Sequence, residues 1–311
     1  MKNLRVVFMG TPEFAVPVLE ALIENTNVVM CVTQPDALVG RKKILTPSPV
    51  KKVAIENNIK VITPNNIKVD YQEIVDVNPD IIITCAYGQI IPKILLDLPK
   101  YKCVNVHASI LPKYRGGAPI HAALLNGDPY SGITIMYMDE GMDDGDIITQ
   151  EKVRIEDNDN INTLSDKLSV LGSKLLIDTL PSILDGNINS IKQNDDEVTF
   201  AYIIKRKDEL IDFNNNYKDI FNKVRALLPR SYFVMNGIEY KVVSVRYESK
   251  KGEVGKINNI YKDGIGIGCK DGEVVITEFI PSGKKQMLVS SYINGIDKNK
   301  LIGVSVNEER K

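Results

Sequence analysis

Apolar positions in the first part of the chain fall into short, nearly unbroken runs separated by segments of helical spacing. Leu4 to Met9 is mostly apolar and ends at Gly10. After Pro12, the residues Phe14, Val18, Leu19, Leu22 and Ile23 recur at helical spacing through about Asn25, and Asn27 to Thr33 is apolar again. A strand, a helix and a strand in succession predict a parallel sheet with a right-handed crossover. Ser48 to Asn57 reads as a helix with Pro49 in its first turn, Lys60 to Ile62 as a short strand, and Tyr71 to Val77 as a helix. Asp80 to Ala86 is almost continuously apolar, as a central strand covered on both faces requires. Cys103 to His107 is the next strand, followed by a helix from Ala118 to Asn126 and a strand from Gly132 to Met138. Ile147 to Ile155 reads as an edge strand and about Asn162 to Leu184 as a long amphipathic helix. The expected architecture is an open, mostly parallel, Rossmann-like α/β sheet over residues 1–189.

The period changes further on. A helix near Tyr217 to Leu227 precedes six short strand candidates at Tyr232–Val234, Glu239–Tyr247, Gly252–Ile257, Gly264–Cys269, Glu273–Phe279 and Met287–Val289. Short strands with Gly, Asn and Asp in their turns predict a small, OB-like β-barrel over 208–311. The polar stretch 190–207, ending in Lys205-Arg206-Lys207, reads as the linker between the two. The long segment Gln34 to Pro49 reads as an unstructured, mobile loop with three cations at its tip, Arg41, Lys42 and Lys43.

Composition changes this picture little. The chain has 311 residues, 43% hydrophobic and 25% charged, long enough for two cores. Its net charge of −1 provides no global field toward nucleic acid or membrane. The distribution is uneven: residues 208–311 carry 17 Lys and Arg against 14 Asp and Glu, a net of +3, and the remainder carries −4. The four cysteines sit apart, with no C-x-x-C pair, and read as buried thiols in a reducing compartment. The apolar run at the start is too short for a secretory signal, and no apolar segment reaches membrane-spanning length. A cytoplasmic location without membrane association is expected.

Candidate chemistry lies in two stretches. In Cys103-Val-Asn-Val-His107, Asn105 and His107 are two apart on a strand and project from the same face, just before a loop with Pro, Arg and Gly. An amide donor beside a titratable ring suits a reacting carbonyl. A structural His at a strand end and an Asn serving as a turn cap account for the same residues equally simply. The second stretch, Met138 to Asp146, holds five carboxylates between Asp139 and Asp146. A calcium loop of EF-hand type fails there, because Gly141 and Asp144 occupy the third and sixth positions. Gly141 and Gly145 bracket Asp143, which suits a tight turn that presents one carboxylate to another element. A dinucleotide fingerprint also fails, with one glycine in the first turn where three are needed. A Ser-His-Asp hydrolase using Ser109 lacks a nucleophile elbow.

Together, N-V-H-A-S-I-L-P-K-Y-R-G-G and M-D-E-G-M-D-D-G-D resemble the signature of the formyltetrahydrofolate-dependent formyltransferases. The layout over essentially the whole chain, with F-M-G-T-P-E-F, G-R-K-K, A-Y-G-Q-I-I-P and a C-terminal domain of about a hundred residues, is similar to members that act on initiator methionyl-tRNA. The resemblance implies direct acyl transfer from 10-formyltetrahydrofolate to the α-amine of the charged tRNA, through a tetrahedral intermediate. It implies catalytic roles for Asn105, His107 and Asp143, with Asn105 and a protonated His107 stabilising the oxyanion and Asp143 supporting the ring and moving protons. Asp144 stands where the family often has Thr. Cosubstrate contacts are implied for Ser109, Ile110, Leu111 and Pro112 and expected of Tyr87 and Gly88 at a strand end. Contacts to tRNA are implied for Arg41 and expected of Lys42 and Lys43. Lys42 stands where Gly is usual and Ile44 where Lys is usual, which shifts the loop cation by two positions. No metal is required, and a monomer is expected. A formyltransferase acting on a sugar-nucleotide amine is the alternative within the superfamily, and a non-catalytic folate- or RNA-binding module the alternative outside it.

Overall fold

In the computed structural model, which describes residues 1–40 and 42–308, the first apolar run forms β1 (Arg5–Gly10). The helix α1 (Val16–Asn25) follows a short 3-10 turn at Glu13–Ala15, and β2 (Asn27–Val32) returns parallel to β1. The chain then forms β3 (Ala37–Val39), β4 (Ile44–Thr46), α2 (Pro49–Glu56) and β5 (Val61–Ile62), the last parallel to β2. Ser48 caps α2 by accepting from the Lys51 N–H at 3.0 Å. Beyond α3 (Gln72–Asp76), β6 (Ile81–Cys85) returns to pair on the other side of β1, and all five of its residues are buried. After α4 (Lys93–Leu96), β7 (Cys103–His107) lies parallel to β6. The sheet is completed, after α5 (Pro119–Leu125), by β8 (Tyr130–Tyr137) and β9 (Ile147–Arg154), each antiparallel to its neighbour.

The sheet order is β5-β2-β1-β6-β7-β8-β9. Five parallel strands carry a two-strand antiparallel edge, so the fold is the mostly parallel, Rossmann-like one. The chain leaves β1 toward β2 and β5 and comes back on the opposite side with β6 and β7. That reversal puts a topological switch point between β1 and β6, at whose carboxyl end such sheets bind ligands. The helix α6 (Ile161–Leu184) buries Leu164, Leu168, Gly172, Leu176 and Leu180, spaced four apart. At Gly172 a Cβ would lie 3.0 Å from Val106 of β7, so the helix seats directly on the strand bearing Asn105 and His107.

The Gln34 to Pro49 segment differs from expectation. β3 and β4 pair antiparallel as a hairpin, with Gly40 and Lys43 in left-handed turn conformations and Lys43 N–H donating to Gly40 O at 3.1 Å. Leu38, Val39, Ile44 and Leu45 are all exposed. With no buried face, the strands lack the apolar-polar alternation by which a hairpin is read.

Two compact units are distinguishable. The first comprises Met1–Pro119, Tyr130–Arg154 and Leu164–Tyr202, and the second comprises Ile120–Pro129, Ile155–Thr163 and the chain from Ile203. The stretch expected as a linker divides between them. Ile191 bridges Ile147, Phe200 bridges Arg115, and the second unit begins at Ile203.

The second unit is built on α7 (Tyr217–Ala226) and a curled antiparallel sheet. Its strands are β10 (Tyr232–Met235), β11 (Ile238–Glu248), β12 (Ile257–Ile260), β13 (Ile265–Cys269), β14 (Gly272–Pro281) and β15 (Met287–Leu288). The order β10-β11-β14-β13-β12, with β15 on β14, forms an OB-like half-barrel, and α8 (Val289–Ile293) packs on it. Phe233, Tyr240 and Phe279 centre its core, Phe233 stacked on Tyr240 and Phe279 edge-on to it. One strand is displaced from its expected place: Gly252–Ile257 is irregular and the strand starts at Ile257. Gly255 adopts φ +71°, and Asn258 ties Glu253 into a turn through both its backbone N–H and its carbonyl.

Candidate active site

Asn105 and His107 emerge on one face of β7, as their two-residue spacing dictates. Parallel pairing sets Thr84 of β6 beside Asn105, and the Thr84 hydroxyl donates to Asn105 Oδ1 at 2.8 Å. That bond turns the Asn105 NH2 outward, where it donates to Asp143 Oδ1 at 3.3 Å. His107 is buried, with Nε2 3.0 Å from Tyr114 O and Nδ1 3.7 Å from Asp143 Oδ1. Each ring nitrogen therefore faces an oxygen. One carboxylate oxygen is shared between the amide and the imidazole, so the three residues singled out in the sequence converge.

The turn that delivers Asp143 is tight. A Cβ at Gly145 would collide with the Tyr137 carbonyl, and one at Gly141 with the Asp144 carboxylate. Asp143 is four-fifths buried and has φ +50°, whereas its neighbour Asp144 is exposed. The Gly116 N–H donates to Asp143 Oδ2 at 2.8 Å.

Other groups meet around the site, Gln193 and Thr199 to Ala201 from outside the two motifs and Arg115 from within the first. Gln193, in the stretch read as a linker, is buried and donates through Nε2 to the carbonyls of Asp143 and Gly145. Arg115 Nε donates to Gln193 Oε1 at 2.9 Å. Thr199 to Ala201 runs along Pro112 to Ala118, with hydrogen bonds from Arg115 N–H to Thr199 O and from Ala201 N–H to Arg115 O. Local spacing carries no signal for such contacts across eighty residues; a buried polar residue in a polar segment looks like any other.

At the switch point lies an open cavity of about 500 Å³ lined by Thr11, Pro12, Gln34, Asn65, Ala86, Tyr87, Gly88 and Gln89. Tyr87 and Gly88, which follow β6, are among the residues that line it. The Tyr87 contribution is its backbone: its carbonyl accepts from Thr11 Oγ1 and Gln34 Nε2, both at 3.1 Å. Its ring packs into the apolar core, and burial pushes the phenol up to about 12. Cys85, at the end of β6, has its thiol raised by the same burial and is no candidate nucleophile.

The segment Ser109 to Pro112 does not line that cavity. Ser109 and Leu111 are buried, the Ser109 hydroxyl donates to Lys113 O at 2.7 Å, and Thr134 Oγ1 donates to Ser109 O at 2.6 Å. Gln150 Nε2 donates to Leu111 O at 2.8 Å. Ile110 and Pro112 are half-buried. Lys42 and Lys43 are exposed at the β3–β4 tip, away from these groups in sequence, and Arg41 lies outside the described residues.

The chain matches the formyl transferase family over residues 3–180 and the formyl transferase C-terminal domain over residues 203–297. It is 45% identical to methionyl-tRNA formyltransferase of Geobacillus sp. (strain WCH70), covering 99% of both chains. It is 46% identical to the Staphylococcus epidermidis (strain ATCC 35984) methionyl-tRNA formyltransferase, over 96% of this chain and 98% of that one. The chain belongs to the methionyl-tRNA formyltransferase family. Among solved structures, an N-formyltransferase from Helicobacter canadensis, in complex with folinic acid and dTDP-3-aminofucose, superposes with a TM-score of 0.67 at 22% identity. It covers 89% of this chain and 99% of that one. At that identity the likeness speaks for the formyltransferase fold alone. The two family matches leave residues 181–202 between them, and Gln193 falls in that gap.

Proposed function

We propose that the protein transfers the formyl group of 10-formyltetrahydrofolate to the α-amine of initiator methionyl-tRNA. The observation that carries this reading is the convergence of Asn105, His107 and Asp143 at a strand's carboxyl end, in a chain of this family. Attack of the amine on the formyl carbon builds negative charge on the formyl oxygen. The second hydrogen of Asn105 Nδ2 and a protonated His107 answer that charge, and their value lies in being oriented beforehand. Thr84 supplies that orientation for the amide, and Tyr114 O with Asp143 supplies it for the ring. Asp143 accepts the proton that the amine gives up and returns it toward the leaving folate nitrogen. No covalent bond to the enzyme is needed.

The cavity at the switch point, with its hydroxyl and amide lining, supports binding of the folate cosubstrate beside Tyr87 and Gly88. The segment Ser109 to Pro112 lies outside that cavity; its half-buried Ile110 and Pro112 contact the part of the cosubstrate that extends beyond it, while Ser109 and Leu111 hold the segment in place. Lys42 and Lys43 at the hairpin tip, with Arg41 before them in the chain, grip the acceptor end of the tRNA. Residues 1–189 act as the catalytic domain and 208–311 as a tRNA-binding domain. The protein works as a cytoplasmic monomer, and among the described residues no helix is long and apolar enough to cross a membrane.

The test is incubation of purified protein with 10-formyltetrahydrofolate and either charged initiator tRNA or a sugar-nucleotide amine, followed by mass analysis. Formyl-methionyl-tRNA as the product supports the reading. Formylation of the sugar nucleotide alone overturns it.

A further inference from the structure

Asp143 stands in a backbone conformation that a residue with a Cβ seldom adopts, φ +50°. Such a conformation persists only where surrounding groups over-determine it. The Gly116 N–H fixes one carboxylate oxygen, and a single side-chain amide fixes the backbone. Gln193 Nε2 donates to Asp143 O at 2.8 Å and to Gly145 O at 2.9 Å. Two carbonyls two residues apart meet one NH2 group because the turn between them is tight. Gln193 is itself held from behind: its Oε1 accepts from Arg115 Nε at 2.9 Å, and Arg115 Nη2 lies 3.8 Å from Asp195 Oδ1. Gln193 is 4% exposed and Arg115 8%; the hydrogen bonds to Gly145 O and from Arg115 are shielded from water, and the one to Asp143 O is partly so. The Ile191 to Ile147 bridge anchors the segment just before Gln193.

We propose that Gln193 is a positioning residue for the transfer reaction. It clamps the 143–145 turn so that Asp143 Oδ1 stays between Asn105 Nδ2 and His107 Nδ1, and it touches neither substrate. This inference rests on the role given to Asp143 above. A purely structural Gln193 would contribute to folding and leave the chemical step alone. A clamp acts only through Asp143.

Gln193→Met keeps the length and apolar stem but removes both donors. Gln193→Glu keeps the acceptor for Arg115 and likewise lacks the donors. Gln193→Asn, one methylene shorter, cannot span both carbonyls and serves if the others fold poorly. In steady-state formylation of methionyl-tRNA, each is expected to lower kcat tenfold or more with both KM values within threefold. Added to Asp143→Asn, Gln193→Met should lower kcat no further. A kcat within twofold of the unsubstituted protein, or a full multiplicative loss in the Asp143→Asn background, overturns the clamp.

A readout independent of turnover separates this from failure of the proposed reaction. The chain has two histidines, so ring nitrogen resonances of ¹⁵N-labelled protein are assignable with His121→Gln. Gln193→Met should move the His107 Nδ1 resonance at fixed pH in the same direction as Asp143→Asn. An unmoved resonance overturns the clamp, whether or not the protein formylates tRNA. Absence of formylation by the unsubstituted protein overturns the reaction assignment instead.

Discussion

The two adjacent aspartates of the acidic turn differ in every feature that matters to chemistry. Asp143 is four-fifths buried, shares an oxygen with Asn105 and His107, and has its other oxygen held by Gly116; Asp144 is exposed. Asp143→Asn keeps the shape and removes the charge. It is expected to lower kcat by about 10²-fold or more, as loss of one preorganised charged group commonly does. Asp144→Asn should remain within a few-fold of the original rate. Single-turnover formylation of both variants checks this, with circular dichroism to show that both fold. An inactive Asp144→Asn beside an active Asp143→Asn would reverse the assignment. Asn105, His107 and Asp143 were legible because strand periodicity puts the first two on one face and paired glycines mark the third. Gln193 was not, because its meaning lies in two carbonyls some fifty residues away.

At the scale of elements, the inner strands of the main sheet were legible because an apolar run that is continuous, bounded by turn residues and too short for a helix fits a strand covered on both faces. The β3–β4 hairpin was not, since all four of its exposed aliphatic residues face away from any core. Gly252–Ile257 misled for the opposite reason: it looks extended, but Gly255 turns left-handed and Asn258 closes a turn on Glu253. The short helix α5 carries the second histidine, His121, which matches no motif. Burial, and to a lesser degree the Arg230 charge, lowers its affinity for a proton below that of a free imidazole. Protons therefore bind the unfolded chain more readily than the folded one. Stability is undiminished above about pH 6.5, the unfolded value, and falls as pH drops from there toward the lower folded value. His121→Gln removes this acid sensitivity. Relative to the original protein it should gain stability between about pH 7.5 and pH 5.5, on either side of the unfolded value, with formylation at neutral pH little changed. Urea unfolding at the two pH values measures the difference, and an equal loss of stability in both proteins would exclude His121 as its source.

For the whole molecule, net charge is nearly balanced while the charge distribution is not. Residues 208–311 carry +3, and three consecutive cations, Arg41, Lys42 and Lys43, stand in the otherwise acidic remainder, the two lysines at the tip of a hairpin. A polyanion is held through cations that displace its condensed counterions, so the number of contacts sets the salt dependence of binding. Because β3 and β4 are paired, the two lysines sit at the tip of a hairpin and not on an unpaired loop. Lys42→Ala with Lys43→Ala should raise KM for methionyl-tRNA and flatten the slope of log KM against log salt by about 2 if each lysine meets a phosphate. Arg41→Ala should raise KM as well, and Arg41→Lys should restore it only in part, because a guanidinium grips phosphate in two places and stacks on an unpaired base. KM for the folate cosubstrate should stay unchanged, since the switch-point cavity is built from other residues. The measurement is formylation rate against tRNA concentration at two salt levels for each protein. An unchanged slope in the double lysine variant would take the hairpin tip out of tRNA binding and leave the basic residues of 208–311 to account for it.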